Sequence, residues 1–126
     1  MVAIYACART AFSKKQFDWE SEAVRCAIPR LGYVPNLETD TNISQASPLR
    51  GFVDVTSRVV SSVGWLQHDL ITFAGIPVNE NFDRVTMYRV SDGLLLFDVP
   101  FPTINLPASV PLTMPLDVSS IGLGRV

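Results

Sequence analysis

One histidine, His68, and two cysteines, Cys7 and Cys26, are all the imidazole and thiolate metal ligands this chain offers. A histidine-based metal site needs several ligands converging, and no Cys or second His lies near His68 in sequence. The cysteines have no CxxC spacing and no neighbouring His, so they read as two buried free thiols. Glutamate is scarce too, at positions 20, 22, 38 and 80 only. Glu20 and Glu22 flank the start of a strand-like run and read as a solvated face. A carboxylate pair for glycoside chemistry needs about 5–10 Å separation in a cleft, which nothing in this spacing suggests. No P-loop, dinucleotide fingerprint or G-x-S-x-G elbow occurs. Gly122-Leu123-Gly124 reads as a flexible tail or bend. Asp69 follows His68, but neighbouring strand residues point to opposite faces. The expectation is a protein that is not an enzyme, with no catalytic residue, no metal and no cofactor.

Long apolar runs are missing as well. The longest apolar cluster, Leu94-Leu95-Leu96-Phe97, is closed by Asp98. It falls far short of the ~18 residues of a membrane helix. Met1 to Ala6 lacks a charged region followed by an apolar one, so no secretory signal is expected and synthesis in a cytoplasm follows. Asn42-Ile43-Ser44 matches a glycosylation sequon, which carries no meaning without secretion. A net charge of −2 and an isoelectric point near 5.2 argue against broad nucleic-acid binding, which needs a basic face.

What the chain does have is apolar content without charge. Hydrophobic residues make up 48% and charged residues 17% of its 126 residues. A typical domain has roughly 25% charged residues. Mean hydropathy is +0.26. With no membrane span, a surface buried against partners is the simplest use of the excess. Eight of the ten basic residues are Arg. That side chain suits multi-donor pairing at contacts and is equally common as an ordinary surface residue. The length fits one domain, 1–126, able to bury a core without metal or disulfide.

Residues 3–13 favour a short helix, with Ile4, Cys7, Ala8 and Ala11 on one face. Too short to stand alone, it must pack on something. Ala23–Ile28 is a strand run ended by Pro29. Gly32 to Gly51 reads as a long polar loop. Period-two alternation follows at 53–59, 70–74, 84–88 and 112–118, with turn signals at Ser61-Ser62, Gly75 to Asn81 and Ser91-Asp92-Gly93. The last is a hairpin signature joining 85–90 to 94–99. Prolines 100, 102, 107, 111 and 115 make the 111–118 strand an edge, or one paired along one side or with a neighbouring subunit. The pattern predicts a mainly β fold, a β-sandwich or small barrel of short antiparallel strands with one short N-terminal helix. Phe73, Phe82 and Phe97 fall on core positions. Trp19 and Trp65 sit beside strands, as core residues or as a ligand platform. Phe101, between Pro100 and Pro102, is with Ile104 and Leu106 the candidate partner contact, because flanking prolines lower the ordering cost of binding.

The order of segments adds a resemblance. An Ala-rich helix precedes Phe17-Asp18-Trp19 and Val24-Arg25-Cys26-Ala27-Ile28. Gly32-Tyr33-Val34-Pro35 opens a polar loop ending near Arg50. Then come Val55-Thr56-Ser57-Arg58-Val59-Val60, Leu70-Ile71-Thr72-Phe73-Ala74-Gly75 and Val85-Thr86-Met87-Tyr88. Ser91-Asp92-Gly93, Leu94 to Asp98, Leu116-Asp117-Val118 and Ile121 to Val126 complete the series. Over nearly its whole length the chain resembles small tailed-phage and prophage virion proteins. It departs from them at Ser57-Arg58, where a Gly-Lys turn is common, and at the proline-rich 107–115. The resemblance implies a virion component in the phage head that decorates or cements the capsid. Its partners would be the major capsid protein and its own copies, a homo-oligomer such as a trimer, with no nucleic acid and no membrane. A tail or head–tail connector subunit is the alternative. A carbohydrate- or cell-surface-binding β module is the reading from another class.

Overall fold

The computed structural model describes residues 3–60, 62, 66–69, 71–73, 81–105 and 112–114. A hairpin forms its spine. Strand β7 (Asn81–Arg89) turns through Ser91-Asp92-Gly93 into β8 (Leu95–Asn105). Gly93 takes φ +79°, and its amide donates to Arg89 O at 2.8 Å. The turn is therefore the expected one, with glycine at the positive φ. Strand β2 (Val24–Ile28) pairs antiparallel with β7 and, on its other side, with β3 (Gly51–Asp54). Strand β1 (Ala3–Ile4) pairs with β8 through Ala3↔Asp98 and Ile4↔Phe97. The result is a five-stranded antiparallel sheet ordered β1-β8-β7-β2-β3. Two ribbons accompany it: β4 (Val59–Val60) with β5 (Leu66–Gln67), and β6 (Ile71–Phe73) with β9 (Leu112–Met114). The fold is mainly β with a single short helix among the described residues.

That helix, α1, spans Ala6–Ser13, not 3–13. Ala3 and Ile4 are drawn into the sheet instead, and Tyr5, extended at φ −70°, is the N-cap. The alanine face survives the shift: Ala8 and Ala11 are buried in the main core. The 53–59 run is broken rather than continuous. Its alternation holds through Val55, but Ser57 adopts φ +53° and turns the chain between β3 and β4. Strand β9 pairs with β6 alone among the described residues, as a proline-flanked strand should.

Both faces of the sheet are covered over β7 and β8, while the β3 edge leaves Phe52 and Asp54 exposed. One carries Val24, Cys26, Ile28, Val85, Met87 and Phe97 into a core closed by Phe17, Trp19, Val55 and Leu66. Trp19 meets Phe97 edge-on at 6.0 Å, and Phe12 meets Phe17 at 5.0 Å. Edge-on contacts of this kind match the positive rim of one ring to the negative face of the other. The other sheet face packs Tyr5, Ala27, Tyr88 and Leu95 under the 37–49 loop. Hence Val85 to Tyr88 is buried throughout, where alternation alone predicts one wet side. A bulge opposite Met87/Tyr88 places Leu96 beside Phe97 in the main core. Full burial of a side chain like Phe97 stabilises by roughly 1.5–3 kcal/mol. A second register shift, opposite Asp83, falls at Phe101 to Thr103. Bulged ladders of this kind tolerate prolines such as 100 and 102.

Candidate functional site

The stretch expected to be a polar loop is one, with a single 3-10 turn at Ile43–Ala46, and its side chains build it into a pedestal. Tyr33 N donates to Arg30 O, and Gly32 sits at φ +81°. Arg30–Tyr33 is thus a type II turn, which requires positive φ at its third residue. Tyr33 is tucked inward: its hydroxyl donates to Asp40 Oδ2 at 2.9 Å and lies 3.1 Å from the Tyr5 hydroxyl. With its own proton committed to Asp40, it accepts from Tyr5. Asp40 Oδ2 also accepts from Asn36 N, and Asn36 Oδ1 accepts from the amides of Glu38 and Thr39. Asn42 and Gln45 form a capping box around a single 3-10 turn, Ile43–Ala46, so each satisfies an amide the turn leaves open. Backbone bonds from Ala6 to Leu37, Leu95 to Thr41 and Ile43 to Gly93 fasten this loop to helix and hairpin. The Arg30 guanidinium lies over the Tyr33 ring and donates to Gln45 O.

The consequence is display. With Tyr33 pulled in, its neighbours are pushed out: Leu31 is 71% and Val34 79% exposed. Phe52, on β3, is also exposed, one ring face covered by Arg25, which is fixed by Asp54 at 2.7 Å. Val59 is the fourth large apolar residue so exposed among those described. Apolar side chains held out on a pre-ordered loop lose little entropy on contact, which is the physical requirement for a docking surface.

Beneath the pedestal lies a polar seam. Thr86 and Asp98, directly opposite each other on β7 and β8, are the buried polar residues of the described core. Arg84 Nη1 reaches both Asp98 carboxylate oxygens at 3.2 Å, while its Nε lies 3.6 Å from Asp83. Burial raises the Asp98 carboxyl above the usual carboxylate range, against the pull of Arg84. Desolvation pushes the Tyr33 hydroxyl up to about 12 and Tyr5 higher still. All three shifts share one cause, the loss of water around the charged form. Among the described residues the buried Thr86 hydroxyl makes no well-formed hydrogen bond, the Tyr5 hydroxyl being its polar neighbour.

The sequence-predicted contact residues fare differently. Phe101 and Ile104 continue β8, their side chains outside the described set, as are those of Phe73 and Phe82. Leu106, Trp65 and everything after Met114 also lie outside the described residues. Phe97 is core as expected, and Trp19 is 1% exposed, so it is no ligand platform. His68 Nδ1 pairs with the carbonyl of Asp69 at 2.6 Å, its ring packs edge-on to Trp19, and its buried Nε2 has no hydrogen-bond partner among the described residues. Glu20 and Glu22 are not a merely solvated face: Glu20 Oε2 accepts from Val60 N, and Glu22 binds Asp18 N and Arg89. Both cysteines are free, Cys26 buried but Cys7 only half so; burial pushes both thiols up. The Asn42 amide of the sequon is committed on both sides, accepting from Ser44 N and donating to Asp92 O. Among the described residues no three His, Cys, Asp or Glu converge as metal ligands, and no helix is long and apolar enough to cross a membrane.

No family model, curated protein or solved structure matches the chain. Leu31, Val34 and the Asp98 seam were not singled out from sequence. For the first two the available signal was a pair of aliphatics flanking a Gly-Tyr step inside an otherwise polar stretch. For the seam there was none, because Tyr5, Tyr33, Asp40, Thr86 and Asp98 meet only in the fold.

Proposed function

We propose that this chain is a structural subunit of a tailed-phage particle, of the kind that decorates and cements the capsid, and that it acts by binding proteins rather than by catalysis. The observation that carries this is the exposed Leu31–Val34 pair on a loop fixed by side-chain and backbone hydrogen bonds. It supplies rigid apolar contact area, and small contacts repeated around an oligomer gain strength through effective concentration. The partners are the major capsid protein and the chain's own copies, a trimer suiting a threefold lattice position. The place of action is the phage head, after synthesis in the host cytoplasm. The finer alternative, a tail or connector subunit, uses the same surface and differs in copy number.

The test is quantitative mass spectrometry of purified particles against the major shell protein. Near-stoichiometric amounts support decoration. A few per cent moves the chain to the tail or connector, and absence from particles overturns the particle reading. Replacing Leu31 and Val34 together by Asp should weaken shell binding by roughly tenfold or more while leaving the fold intact.

A further inference from the structure

Strand β1 is two residues long, and both of its rungs fall on Phe97 and Asp98 of β8. One of those rungs therefore rests on an acidic residue that is 5% exposed. The register shows how close its neighbours stand. Arg84 faces Pro100 in the β7–β8 ladder. Proline has no amide to donate, so this is a non-hydrogen-bonded pair. Two residues along, Thr86↔Asp98 is of the same type, the type in which facing side chains approach most closely. Asp98 thus lies against a buried hydroxyl that lacks a well-formed hydrogen bond. Among the described side chains its cationic contact is Arg84, which is shared with the exposed Asp83.

We propose that Asp98, Thr86 and Arg84 form a charge-sensitive latch for the N-terminal strand: with Asp98 neutral β1 stays seated, and with Asp98 ionised β1 is the first part of the sheet to open. The groups facing Asp98 set the balance. From β7, Arg84 favours the carboxylate and Asp83 opposes it. From the α1 cap and the pedestal come Tyr5 and Tyr33, both neutral, whose ionised forms Asp98 disfavours. Dehydration of the carboxylate outweighs these, and opening β1 rehydrates it. A carboxyl raised in the folded state contributes most below the ordinary carboxylate range and loses that contribution as pH rises through its folded value. Opening leaves the Leu96–Asp98 edge of β8 unpaired, a place where another strand can add.

Amide hydrogen exchange by NMR tests the latch on the whole chain. The Tyr5 amide, bonded to Leu96 O at 3.1 Å, reports β1, and the Cys26 amide in β2 serves as the internal reference. As pH is raised from the ordinary carboxylate range upward, the ratio of Tyr5 to Cys26 protection should fall as Asp98 ionises, and Asp98→Asn should hold it at its acid value. A flat ratio in the unsubstituted chain overturns the proposal, as does the same fall in Asp98→Asn. If that variant does not fold, the carboxyl carbon of Asp98 is titrated in the unsubstituted chain. Loss of Tyr5 protection must then follow that curve, and a loss at any other pH overturns the latch.

Discussion

Arg58→Ala should be the most damaging single change at a half-buried position. The Arg58 guanidinium donates from Nε to Trp19 O at 2.8 Å, from Nη1 to Val55 O at 2.6 Å and from Nη2 to Glu22 O at 2.6 Å. It thereby ties the β3–β4 corner, where Ser57 turns at φ +53°, to the 19–22 turn that seats Trp19 in the core. A hydrogen bond from a charged donor contributes roughly 1.5–3 kcal/mol when buried. Water can replace part of each here, so about 1 kcal/mol apiece, or about 3 kcal/mol together, is the reasoned loss. With an unfolding entropy of ~2.1 cal/mol/K per residue over the whole chain, that lowers Tm by about 11 °C. Arg58→Lys should lose more than half as much, because an ammonium cannot present three donors in a planar fork. Thermal and urea unfolding followed by circular dichroism measure both. A shift under about 3 °C for the alanine variant would mean that water satisfies the three carbonyls and that Arg58 holds nothing.

Two glycines should separate steric from conformational cost. At Gly93 a Cβ would meet Asn42 Oδ1 at 2.9 Å and Ile43 Cγ2 at 3.0 Å, whereas Gly32, at φ +81°, has open space around it. Gly93→Ala should therefore cost about 3 kcal/mol and Gly32→Ala about 1 kcal/mol, and equal losses in urea would refute the distinction. Thr86→Val removes a buried hydroxyl that lacks a well-formed hydrogen bond. At constant shape it should raise stability by about 1 kcal/mol; a loss in the same melt would mean the hydroxyl is paired after all. Arg89 beside Asp92 holds that carboxyl below the usual carboxylate range. Its contribution is present above that range and lost as pH falls through the folded value. Asp92→Asn should therefore be less stable than the unsubstituted chain near neutrality, with the gap closing in acid, as Tm against pH will report.

Where burial is one-sided or local chemistry decides, the sequence was readable. The Ser91-Asp92-Gly93 turn, the end of β2 at Pro29 and the core place of Phe97 all follow from φ preferences and hydrophobic period. The helix start was not readable. Whether Ala3 and Ile4 coil or pair depends on β8, at the other end of the described chain, and contacts that distant leave no local trace. Nor was the pedestal: Asn, Asp and Gln in a polar stretch look the same whether they face water or, as Asp40 and Gln45 do, bond to backbone amides. Ser57 was the most misleading position. A residue without glycine's freedom interrupts an alternating run by taking positive φ. Its neighbour Arg58 makes that possible by gathering the carbonyls around it.

Under the proposed function, the arginines bear on which surface would meet a partner. Rich arginine could have meant an electrostatic interface, yet six of the eight are engaged within the chain. Arg25 and Arg84 bind Asp54 and Asp98, and Arg30 and Arg50 bind the carbonyls of Gln45 and Pro29. Arg58 binds three carbonyls, and Arg89 binds Asp92, Glu22 and Gln16 O. Using such a group on a partner would first require breaking an internal bond. Leu31 and Val34 carry no such cost, since they are already in water and already positioned. Association through them should therefore depend little on ionic strength. Binding to shells or self-association, measured from about 0.05 M to about 0.5 M salt, should change by less than about threefold, because apolar contact is not screened. An arginine-borne contact would weaken steeply over the same range, and that result would transfer the docking surface from the pedestal to the charged positions.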